Sequence, residues 1–115
     1  MISLGTAFKK IIIIGYGKIT GEILKYCIEK QSDYGYRLEC IEHEVHPFGT
    51  TEKICHEHRV PFVRIENKKE LAAYLGAISE KTLIVSASNN FLFPKELVEK
   101  ENITIMNFHN ALLPD

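Results

Sequence analysis

Short dense apolar runs alternate along the chain with stretches in which apolar residues recur every third or fourth position. Ile11 to Ile14 is an unbroken β-branched run that stops at Gly15. Continuity of this kind, without strict alternation, predicts a central strand of a parallel sheet covered on both faces. Beyond the turn at Gly15, Tyr16 and Gly17, the positions Ile19, Ile23, Leu24, Cys27 and Ile28 keep one side of a helix apolar. Arg37 to Ile41 predicts a second strand, Gly49 to Thr51 opens a short helix towards His58, and Pro61 to Ile65 predicts a third strand. Asn67 and Glu70 have capping-box spacing ahead of a helix that carries Leu71, Tyr74, Leu75 and Ile78. Thr82 to Ala87 predicts a fourth strand, Pro94 suits the first turn of a helix through Lys100, and Ile103 to Asn107 predicts a fifth strand. Strands alternating with helices at this spacing imply an α/β fold, three-layered and doubly wound on a mainly parallel sheet with right-handed connections. The chain shows no internal repeat and no linker, and reads as one unit over residues 1–115.

Composition narrows the setting. The 115 residues are 45% hydrophobic and 25% charged, the balance of an ordinary globular domain. A formal net charge of -1 gives no electrostatic footprint for nucleic acid or an anionic membrane. Cys27, Cys40 and Cys55 have no CxxC spacing and read as reduced thiols, and the apolar run at Ile11 is too short to span a bilayer. Met1 to Lys10 lacks the order of a secretory signal, so a cytoplasmic address is expected, with no membrane partner.

Three constellations are candidates for chemistry. Gly15-Tyr16-Gly17-Lys18-Ile19-Thr20-Gly21 joins a strand to a helix, where bare N–H groups can face an anion. A dinucleotide fingerprint would want its third glycine one residue earlier, and an acid at the end of the second strand, where Glu42 and Glu44 are available. His43, His46, Cys55, His56 and His58 form an imidazole-rich middle, but two histidines two apart on a helix diverge. These read as solvated residues near a loop, and no metal site is expected. The third is Asn107-Phe108-His109. Residues two apart on a strand share a face, and the carboxyl ends of strands in an open α/β sheet are where ligands bind. A carboxamide beside an imidazole suits acyl transfer, the first donating to an oxyanion and the second carrying a proton.

Residues 107 to 114, Asn-Phe-His-Asn-Ala-Leu-Leu-Pro, closely resemble the Asn-x-His-x-(small)-Leu-Leu-Pro signature of the N10-formyltetrahydrofolate-dependent formyltransferases. Leu83 to Pro94 is similar to the strand, loop and proline-led helix that border the folate pocket in that family, and Cys55 to Phe62 resembles its helix, turn and third strand. The resemblance implies a Rossmann-like formyltransferase fold. It also implies N10-formyltetrahydrofolate as co-substrate and an acceptor amine: methionyl-tRNA, glycinamide ribonucleotide or a nucleotide-linked amino sugar. Nucleic acid would be a partner only if the acceptor is a tRNA, and the neutral charge leans towards a small acceptor. By the same resemblance Asn107 stabilises the oxyanion and His109 moves protons from amine to leaving N10. Backbone groups of the loop at Asn90, Phe91 and Leu92 meet the pterin edge, and Leu113 and Pro114, joined by a cis bond, line the loop after the histidine.

Two positions depart from the family. Ala111 stands where many members have serine. The family's catalytic aspartate lies a few tens of residues beyond its histidine, whereas Asp115 is the last residue here and does not inherit that role. The expectation is the N-terminal part of a longer catalytic domain, itself with little or no activity. The rivals are an NAD(P)-binding domain resting on the glycine turn, a formyltetrahydrofolate hydrolase using the same histidine with water, and a non-catalytic interaction domain.

Overall fold

The computed structural model describes residues 8–44, 49–87 and 91–108. Five strands form one sheet: β1 Lys10–Gly15, β2 Arg37–Glu42, β3 Phe62–Arg64, β4 Thr82–Ala87 and β5 Ile103–Phe108. Four helices connect them: α1 Lys18–Tyr34, α2 Thr50–His58, α3 Lys68–Gly76 and α4 Lys95–Val98. The order across the sheet is β3-β2-β1-β4-β5 and every pairing is parallel, a Rossmann-like arrangement more uniform than the mainly parallel sheet expected.

The isoleucine run of β1 sits at the centre and is fully buried, because alternate residues feed two cores. Ile11 and Ile13 pack with Leu24 and Cys27 of α1 and Ile54 and Cys55 of α2. Ile12 and Ile14 pack with Leu71 and Leu75 of α3 and Leu97 of α4. Two helices thus cover each face, which is why β1 needs no polar position.

Sequence signals set most helix ends. Asn67 Oδ1 accepts the Glu70 N–H at 3.0 Å, capping α3 as its spacing predicts. Gly35, at φ 75°, closes α1 by donating its N–H to Gln31 O. Pro94 stands just before α4 as its cap, and that helix ends at Val98, short of Lys100. Ile19 departs from the expected apolar face of α1. It is 47% exposed, while Thr20, Gly21, Leu24 and Cys27 form the buried stripe.

All three cysteines are free and buried. Among the described residues no helix is long and apolar enough to cross a membrane.

Candidate functional site

The chain order reverses direction across the sheet between β1 and β4, so the crevice outside their carboxyl ends is the natural ligand position of this topology. Gly15 makes the close approach there. Its φ is 154°, and a Cβ at this position would stand 1.8 Å from Ala87 O. The Thr20 hydroxyl lies 3.2 Å from both Tyr16 O and Ala87 O, tying the start of α1 to the end of β4. Thr20 occupies the place of the third glycine in a dinucleotide fingerprint, and its side chain fills the space such a glycine leaves for close helix–strand packing. Gly17 caps α1 with φ 100°, no side chain caps the helix, and no acid lies in its first turn.

Beside β1 the end of β2 carries Glu42, the acid that a ribose diol would require. It is fully buried and already engaged. Arg64, at the end of β3, donates Nε to Glu42 Oε1 at 2.9 Å and brings Nη2 within 2.7 Å of the same oxygen. Arg64 Nη2 also reaches Glu52 Oε1 on α2 at 3.2 Å. Glu42 Oε2 has no hydrogen-bond partner among the described residues. Those contacts weigh against the dinucleotide rival.

His43 corrects the reading of a solvated imidazole. It is 6% exposed, with Nδ1 2.8 Å from Ile65 O and its ring edge-on to Phe91 at 5.4 Å. His56 and His58 are exposed on α2 while Cys55 is buried, and His46 lies outside the described residues. Cys55 instead meets Cys40: a hydrogen bond between the two thiols, with burial, pushes the Cys40 thiol far up and keeps it protonated. Among the described residues no group of three or more His, Cys, Asp or Glu is arranged to hold a metal.

Across the crevice, Ile14, Ser86 and Asn107 pair in register on β1, β4 and β5, so their side chains share one face of the sheet. Asn107 is exposed at the carboxyl end of β5. On the same face Phe91 is 5% exposed and packs in the core with Ile14 and Ile41, whereas Leu92 is 84% exposed. The Phe91 side chain is therefore an anchor, while the Leu92 side chain faces solvent. Phe93 meets Phe91 edge-on at 5.0 Å, bringing the chain back to the sheet ahead of α4.

His109, Asn90, Leu113 and Pro114, with the expected cis bond, lie outside the described residues. Of the other residues read from the sequence, Asn107 closes β5, Phe91 packs in the core under the same face of the sheet, and Leu92 is exposed. The reading of His43 missed its burial, because its partners Ile65 and Phe91 are remote along the chain. An apolar groove of about 340 Å³ opens on the opposite face, between Ile23 and Tyr26 of α1 and Met106 and Phe108 of β5. Alternation along β5 separates that groove from Asn107.

No family model, curated protein or solved structure matches the chain.

Proposed function

We propose that this chain supplies the folate-binding and oxyanion-stabilising part of a site that transfers a formyl group from N10-formyltetrahydrofolate to an amine. The observation that carries the reading is the position of Asn107: exposed, at the carboxyl end of β5, and in register with Ser86 beside the β1–β4 crevice. The motif that begins at Asn107 gives that position its chemistry.

As the amine attacks the formyl carbon, a C–N bond forms and charge develops on the formyl oxygen. The Asn107 carboxamide N–H donates to that oxygen, where a donor fixed in advance is worth most. The bond from the formyl carbon to N10 then breaks, and His109 moves the amine proton to N10. Leu92 and the backbone beside it offer a flat heterocycle an apolar wall with a few hydrogen-bonding groups. Phe91 holds that wall from beneath, a role its burial supports.

Calorimetric titration of the chain with 5-formyltetrahydrofolate, a stable formylated folate, against NADPH tests the reading. Saturable folate binding with no dinucleotide binding is expected; tight NADPH binding without folate binding overturns it. The hydrolase rival is separated by formate release from formyl-folate in the absence of any amine.

A further inference from the structure

We propose that His43 is a positioning residue for Phe91 and, through it, for Leu92 ahead of α4, an inference that rests on the formyl-folate reading for its effect on binding. His43 follows the last residue of β2 and touches two other parts of the sheet's carboxyl edge. Its Nδ1 lies 2.8 Å from Ile65 O, and because a carbonyl only accepts, that nitrogen donates and the bond fixes the orientation of the ring. Ile65 is held from both sides, since its own N–H donates to Glu42 O at 3.0 Å. The fixed imidazole then meets Phe91 edge-on at 5.4 Å with the rings 75° apart, and Phe91 meets Phe93 at 5.0 Å and 90°.

This chain of contacts runs from the end of β3 to the residues ahead of α4. Phe91 rests on a surface that is both polar enough to bond Ile65 O and aromatic enough to support a ring. An aliphatic residue at 43 supplies neither. Leu92, adjacent to the anchored ring and 84% exposed, takes its position from how deep Phe91 sits. His43 touches no proposed reacting atom, so it acts through Phe91.

Three variants divide the role. His43→Phe keeps a ring and loses the donor, His43→Asn keeps a donor and loses the ring, and His43→Ala loses both. The readouts are the dissociation constant for 5-formyltetrahydrofolate and the methyl resonances of Leu92, with those of Leu38 and Leu83 as controls for the rest of the fold. His43→Ala is expected to weaken folate binding about tenfold, the scale of one aromatic pair, with His43→Phe restoring part of the loss. The Leu92 methyls shift in His43→Ala while the control methyls hold still. Wild-type folate affinity in His43→Ala, or unmoved Leu92 methyls, overturns the proposal. If wild-type chain binds no folate, the formyl-transfer reading fails, and the Leu92 resonances alone decide whether His43 positions Phe91 and Leu92.

Discussion

Arg64 and Glu42 face each other from neighbouring strand ends, with two guanidinium nitrogens converging on one carboxylate oxygen at 2.9 and 2.7 Å. Glu42 is fully buried, while the Arg64 side chain is 32% exposed. Taking away the arginine leaves a buried carboxylate without the one countercharge it has among the described residues. Breaking a fully buried pair costs about 3–5 kcal/mol, and partial solvation of Arg64 brings the expected loss for Arg64→Ala to about 2–3 kcal/mol. Urea unfolding measures it. Adding Glu42→Gln to Arg64→Ala should recover much of the loss, and a strictly additive double mutant would contradict this account.

The turn at Gly15 makes a second, steric prediction. A methyl group there falls 1.8 Å from Ala87 O, and the backbone has a φ that side chains rarely adopt. Gly15→Ala is expected to cost about 3 kcal/mol or more, or to prevent folding. Gly17→Ala meets no neighbouring atom within 4 Å and bears only the conformational cost of φ 100°. It should lose about 1–3 kcal/mol. Thermal melts of the two variants should therefore rank Gly15→Ala clearly below Gly17→Ala.

Asn107 is exposed, so Asn107→Ala should leave stability within about 0.5 kcal/mol. If its carboxamide serves the formyl oxygen, the same change lowers kcat for formyl transfer by about 100- to 1000-fold. A variant that loses stability and keeps its rate would contradict both halves of this prediction.

Alkaline pH should weaken the fold through Cys27. Burial raises its thiol pKa from 9.0 to about 11, so the folded state holds the proton over a range where the unfolded chain releases it. The contribution is complete below pH 9 and is lost as pH rises through 11. Burial also raises the Tyr74 hydroxyl, to about 12, with its hydrogen bond to Glu39 adding in the same direction. Unfolding free energy should fall by about 1–2 kcal/mol between pH 8 and 10.5 on account of Cys27, and the slope should flatten in Cys27→Ala.

Period and punctuation made the frame readable. The isoleucine run declares β1, and Asn67 with Glu70 declares the start of α3, because these signals act between near neighbours in sequence. Ile19 shows where periodicity misleads: it fits the helical spacing, yet the buried stripe runs through Thr20 and Gly21, where a small or hydroxyl side chain lets the helix approach β4. In the sequence Glu39 is only a polar residue on a strand, and Glu42 is only a candidate ribose acid at the end of one. Their burial depends on Lys10 and Tyr74 for one and Arg64 for the other, partners that only the parallel sheet brings close. At the site, the sequence marks Asn107 by its motif, while the support given to Phe91 by His43 exists only once the end of β2 and the residues ahead of α4 lie side by side.

The pairing of β1 has an entropic consequence. Lys10 aligns with Arg37 on one side and with Thr82 on the other, so the first partner is near along the chain and the second is far. Pairing β1 with β4 closes a larger loop than pairing it with β2, and carries the greater loop-closure entropy. The crevice between β1 and β4 therefore depends on the pairing of β1 that closes the larger loop. A molecule that bridges those two strand ends draws that pairing forward by mass action, so occupancy and completion of the sheet are one equilibrium.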